Sequence, residues 1–200
     1  MKSQYKLLAT SIVAITLLSG CAHKISISPS LEDIRETNVE KKIDVNVGYY
    51  ISKHNKQLKV TTPGGGGDKV EYTPYKDTEG AFNTILSKVF NRVYSLKSIN
   101  DRTYIESKNI KYIFTPTITT NSSSESAFTW PPTKFTVALK CEAISLDGTK
   151  IWEETVYEEG NAEYDEFKAN FSLSSQRATE KAFKNMLNKL KVSNVFKKEK

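Results

Sequence analysis

The residues of this 200-residue chain that could do chemistry are two histidines, two cysteines, a run of four glycines and a cluster of carboxylates. A Ser-His-Asp triad needs a histidine on a rigid, partly buried element. His23 lies in a polar N-terminal stretch and His54 in an expected turn, so neither is placed as a general base. Cys141 falls on the apolar side of an alternating segment. There it reads as a small buried hydrophobe whose thiolate burial would disfavour. Gly64, Gly65, Gly66 and Gly67 invite a phosphate-binding reading, but a P-loop closes with Gly-Lys-Ser/Thr at a helix start. Here Asp68 follows and would repel phosphate, so the run reads as a flexible surface loop. Seven carboxylates lie between Ile151 and Phe167: Glu153, Glu154, Glu158, Glu159, Glu163, Asp165 and Glu166. Their spacing fits no cation-binding loop, and they read as a solvated acidic face. No catalytic residue, metal site or enzyme activity is therefore expected.

Two features point to contact instead of catalysis. In Phe128-Thr129-Trp130-Pro131-Pro132, Pro131 and Pro132 stiffen the backbone and hold Phe128 and Trp130 in a rigid loop. A rigid aromatic loses little entropy on binding, which suits a protein partner or a sugar ring. The same tryptophan could equally fold back as a lid over the end of a sheet. Separately, the acidic segment contrasts with Lys181, Lys184, Lys189 and Lys191 on an expected helix. Opposite charges at two ends of a domain would suit head-to-tail packing of identical copies.

The elements that must position these residues follow from periodicity. Ile43 to Ile51 alternates apolar and polar as a half-buried strand does, with a short partner expected from Gln57 to Thr61. Val70 to Tyr75 reads as a continuation of the glycine loop, broken at Pro74. Phe82, Ile85, Leu86, Val89, Phe90 and Val93 share one helical face, and Asp77 or Thr78 would cap that helix. Asn109–Thr120 and Thr133–Leu146 read as strands. Asp147-Gly148 makes a hairpin turn, and Lys150 to Tyr157 returns antiparallel. A last helix begins near Phe167 or Leu173 and ends at Leu190, with Ala178, Ala182, Phe183, Met186, Leu187 and Leu190 on its apolar face. The expected fold class is α+β: an antiparallel-rich sheet of four or five strands with two helices on one face, in the order β-α-β-β-β-α.

The N-terminus supplies an address. Lys2 and Lys6 precede an apolar stretch from Leu7 to Leu18, and then comes Leu18-Ser19-Gly20-Cys21. This is a charged start, a hydrophobic segment of roughly 7–15 residues and a small-residue cut site, too short for a span of roughly 20 residues. The run ending in Cys21 resembles the lipobox of bacterial lipoproteins. That resemblance implies cleavage before Cys21, diacylglycerol on its sulfur and an acyl chain on its amino group, with no other cofactor. Several chains give stable membrane anchoring. Ala22 in place of aspartate implies, for a Gram-negative host, the outer membrane with the body facing the periplasm. The expected organisation is a signal peptide over 1–20, a lipidated N-terminus and tether over 21–40, one periplasmic domain over 41–192 and a basic tail over 193–200. Losing Lys2 and Lys6 lowers the formal charge of +6 by two. No basic stripe with interleaved aromatics is present, so nucleic acid is discounted as a partner. With Cys21 acylated, Cys141 has no cysteine to pair with.

Anchor and element order together resemble the periplasmic α/β domain of several outer-membrane lipoproteins. These include the exopolysaccharide-export lipoprotein PelC, the curli-secretion lipoprotein CsgG, the N-terminal domain of TolB and auxiliary lipoproteins of ABC transport systems. The resemblance implies a non-catalytic accessory or assembly subunit of envelope export, secretion or surface-structure machinery, with protein partners or copies of itself. A glycan- or lipid-binding lipoprotein is the alternative. The chain has no pair of alternating segments of about ten residues with the apolar outer face that a membrane-spanning hairpin needs, so no pore is implied.

Overall fold

The computed structural model, which describes residues 22–38, 41–62, 69–124 and 133–197, builds a five-stranded sheet with two long helices on one face. In chain order the elements are β1 Ala22–Lys24, α1 Leu31–Glu36, β2 Ile43–Tyr50, α2 Lys53–Gln57, β3 Val60–Thr61, β4 Lys69–Tyr72, α3 Pro74–Val89 and β5 Phe90–Leu96. They continue with α4 Arg102–Ser107, β6 Ile110–Ser123, β7 Lys134–Ser145, β8 Lys150–Asn161, α5 Tyr164–Ala169 and α6 Leu173–Val192. A 3₁₀ turn at Val195–Lys197 follows. The main sheet runs β5-β2-β6-β7-β8, and β1, β4 and β3 form a small second sheet. The fold class is α+β, as expected.

The antiparallel half, β6-β7-β8, follows from its short connection: Gly148 at φ +89° makes the turn between β7 and β8. The other half is parallel. β2 lies between β5 and β6 and runs alongside both, as crossovers through α3 and α4 permit. Phe82, Ile85, Leu86 and Val89 of α3 are buried. So are Ala178, Ala182, Phe183, Met186, Leu187 and Leu190 of α6, over Phe114, Phe135, Val137, Leu139 and Cys141 of the sheet. A second cluster, Leu96, Ile105, Ile110 and Ile113, lies on the opposite face under α4. Pro116 falls in β6 just past the residues paired with β2, where that edge has lost its partner and a missing N–H costs nothing. Two residues on, the Ile118 N–H donates to the Tyr75 hydroxyl at 3.2 Å.

Several expected boundaries are corrected. The first long helix ends at Val89, and Phe90–Leu96 is a strand, which adds one strand to the expected order. The helical spacing of Leu86, Val89, Phe90 and Val93 runs through the break, so period alone cannot locate it. Pairing with β2 from Ile43↔Phe90 to Tyr50↔Leu96 decides it. The same helix starts at Pro74, not at Asp77 or Thr78. Proline suits the first helical position, and the Asp77 carboxylate reaches back to take the Thr73 hydroxyl at 2.6 Å. Residues 69–72, expected in a loop, form β4. Of the partner expected over 57–61, only Val60–Thr61 is a strand, and it pairs with β4 instead of β2.

Both ends of the domain also differ from expectation. From Ala22 onward the stretch expected as a tether is built into the fold. β1 runs parallel to β4 in the register Ala22↔Lys69, and Ile27 and Ile34 are fully buried. The Ile27 N–H donates to the Asp77 carboxylate at 3.2 Å, and its carbonyl accepts from the Thr179 hydroxyl at 2.7 Å. The expected basic tail is likewise not a tail as far as Lys197. Phe196 is 1% exposed and meets the rings of Phe90, Tyr112, Phe114 and Trp152, with centroids 5.3–5.6 Å away.

Candidate functional site

Cys21, Gly64, Gly65, Gly66, Gly67, Phe128, Trp130, Pro131 and Pro132 lie outside the described residues. The other chemical candidates are placed as follows. Cys141 is fully buried on the helix-covered face of β7, and burial pushes its thiol well above the usual range. His23 stacks on Phe171 at 4.3 Å, and His54 lies on the short helix α2. Among the described residues no group of three or more His, Cys, Asp or Glu could hold a metal ion.

The acidic run is divided by strand alternation. Glu154 and Glu158 project toward α6, where Lys189 lies 3.4 Å from Glu154 and Asn185 bonds Glu158. Lys181 reaches the Glu159 carbonyl at 2.8 Å. Lys184 pairs with Glu180 on its own helix, and Lys191 bonds the Asn38 carbonyl. The acidic strand and the basic helix are therefore packed together, not set at opposite ends. The expected separation of the two charges, which suited head-to-tail packing, is not what the fold builds.

Glu153 and Glu159 project the other way, onto the opposite face, where α4 packs on Ile110 and Ile113 and the rows farther along β6, β7 and β8 are left open. Rows across β6, β7 and β8 there include Thr117–Lys140–Thr155, Thr119–Ala138–Tyr157 and Asn121–Thr136–Glu159. Lys140 bridges Glu142 at 2.6 Å and Glu153 at 3.1 Å, and Lys150 holds Glu153 at 2.7 Å. Hydrogen bonds from Lys150, and next from Lys140, bring the Glu153 carboxyl down to about 2. Lys134 holds Glu159 at 2.7 Å and lowers its carboxyl too. The face is thus a lattice of hydroxyls and mutually satisfied ion pairs.

One residue breaks that pattern. Tyr157 is 77% exposed, well above every other large apolar side chain on the sheet, and it stands over Ala138 beside a shallow groove lined by Thr119, Asn121 and Thr136. Sequence reasoning did not single it out. The signal was available in the alternation of β8: Trp152, Val156 and Gly160 point inward, so Tyr157 had to share the outer face with Glu153, Thr155 and Glu159.

No family model and no curated protein matches the chain. Among solved structures it is similar to a PelC dodecamer from Paraburkholderia phytofirmans, with a TM-score of 0.44 and 14% identity, over 78% of this chain and 95% of that one. A homolog of neuraminyllactose-binding hemagglutinin from Helicobacter pylori gives a TM-score of 0.43 at 12% identity, over 82% of this chain and 95% of that one. A DUF330 protein from Xanthomonas campestris gives 0.41 at 9%, over 84% of this chain and 92% of that one. At this level the likeness carries no functional argument.

Proposed function

We propose that the chain is a non-catalytic lipoprotein, anchored through acylated Cys21 in the outer membrane and facing the periplasm. Its α+β body acts as an accessory or assembly subunit of envelope export, secretion or surface-structure machinery. The observation that supports this reading is the open face of β6-β7-β8. Hydroxyls and paired ions desolvate at less cost than lone charges, and Tyr157 offers a single large aromatic at the centre. Such a face suits a protein partner or a second copy of the chain. A non-catalytic role is further supported by Cys141, whose thiol is fully buried on the strand that α6 packs against.

The arrangement of Tyr157 among Thr119, Asn121 and Thr136 also favours a second reading, because a sugar ring stacks on an aromatic flanked by hydroxyl and amide groups. A photo-crosslinking residue at position 157, used in intact cells, separates the two. A discrete protein adduct, including a dimer of the chain, supports the assembly reading. Adducts with glycan alone reject it in favour of ligand binding. Native mass spectrometry of the unlipidated body adds the test of self-assembly, and a monomer at every concentration and salt counts against a homo-oligomer.

A further inference from the structure

Ala22, the residue after Cys21, is held by the fold. Ala22 is the first residue of β1 and pairs with Lys69. His23 stacks on Phe171, which packs on Phe167 at 5.0 Å. The Ile25 N–H donates to the Glu71 carbonyl at 2.9 Å. No slack remains in the described chain from Ala22 onward. Cys21 is joined to Ala22 by one peptide bond, which sets their Cα atoms about 3.8 Å apart. We propose that the body has no flexible leash and stands directly on the bilayer, on the pole formed by the start of β1 and by α5. The inference rests on the lipoprotein reading of Cys21.

The pole can be traced through the contacts of α6. Phe171 lies just before that helix, whose first turns press on Gly160 near the end of β8, and Arg177 donates to the Asn161 carbonyl at 2.7 Å. There the Ala162 N–H meets the Thr133 carbonyl at 2.8 Å. The start of β1, the start of β7 and the end of β8 thus share one end of the molecule. β7 and β8 are each 12 residues long, so the turn at Asp147–Gly148 lies about 40 Å away at ~3.3 Å per residue. α4 is at that far end, since Arg102 donates to the Leu146 carbonyl at 2.6 Å.

The chemistry of the near pole suits the headgroup layer. Tyr164 on α5 is 51% exposed, and the Lys168 ammonium lies 5.1 Å from its ring centroid. Tyrosine and lysine are the side chains that settle at the level of lipid headgroups. Glu163 and Asp165 are exposed beside them, so the pole is not a basic patch. The covalent lipid holds it down, and attraction to anionic lipid is not required.

The test uses the full-length acylated protein in vesicles of phosphatidylethanolamine and phosphatidylglycerol, some lipids carrying a nitroxide on the headgroup. A fluorophore is placed on Tyr164→Cys or Lys168→Cys at the near pole, and on Glu106→Cys in α4 at the far one. Quenching several-fold stronger at 164 and 168 than at 106 is the expected result, with little change when phosphatidylglycerol is omitted. A ten-residue Gly-Ser insert between Cys21 and Ala22 should erase the difference. Equal quenching at all three sites in a protein whose intact mass shows acylation would overturn the direct footing alone. An intact mass without acyl chains would overturn the lipoprotein reading and the footing with it.

Discussion

Phe196 stands beside a lysine run shortly after the last long helix, yet it fills the centre of a ring cluster with Phe90, Tyr112, Phe114 and Trp152. Truncating such a side chain removes its transfer energy and leaves a cavity. Phe196→Ala should therefore cost about 3–5 kcal/mol of stability by urea unfolding, whereas a solvated tail would give no change. Gly160 makes the opposite demand. A methyl group there would come within 2.1 Å of the Ser174 carbonyl oxygen and 2.4 Å of the Ala178 nitrogen. Both are backbone atoms and cannot swing aside. Gly160→Ala should push α6 off the strand at a cost of about 1–3 kcal/mol, read as a lower thermal midpoint. Neither residue could be identified from sequence. A lone aromatic beside a charged run carries no period, and a glycine ending a strand reads the same whether a helix or solvent lies above it.

At the scale of elements, strong periodicity was legible and short pieces were not. The apolar face of α6 and the alternation of β7 both stand in the structure as the residue pattern requires. In residues 22–36 the apolar groups are present, but Ile25 and Ile27 fall between a three-residue strand and the six-residue helix that carries Leu31 and Ile34. Neither piece is long enough to establish a period. The segment becomes structured only by tertiary contact, with Ile27 and Ile34 closing gaps beside α3 and α6. If so, Ile27→Ala and Ile34→Ala should each lower the unfolding free energy by about 2–5 kcal/mol. A tether would tolerate both changes without effect. The open face was legible only in part. The strands that form it could be read from alternation, but which face the helices leave bare depends on how the long helices pack across the sheet. The segments carrying Trp130 and the four glycines fall outside the described residues, so their share in contact is a matter for substitution, not for geometry.

Across the whole molecule, the strands of the open face run from the pole beside Ala22 to the pole at Asp147–Gly148. A body standing on the first pole would hold that face upright and turn Tyr157 sideways, toward neighbours in the same membrane. The stability of the body also draws on its surface carboxylates and their partners. Glu166 is held by Arg177 at 2.9 Å, which together with the Glu163 N–H brings its carboxyl to about 2 from an ordinary value of 4.5. Glu153 falls as far through Lys150 and Lys140, and Glu159 and Asp147 are lowered as well. A carboxylate whose folded pKa lies below its unfolded one binds fewer protons when folded. Its stabilising effect is complete above the unfolded value and disappears as pH falls through the folded one. Melting temperature should therefore hold steady from neutral pH down to about 5 and decline between about 4.5 and 2. All of these groups are solvent-exposed, so salt should shrink the decline. A Glu153→Gln, Glu166→Gln double variant should start lower at pH 7 and lose less on acidification. Wild-type and variant curves that stay parallel down to pH 2 would show that the two carboxylates do not set the acid limit.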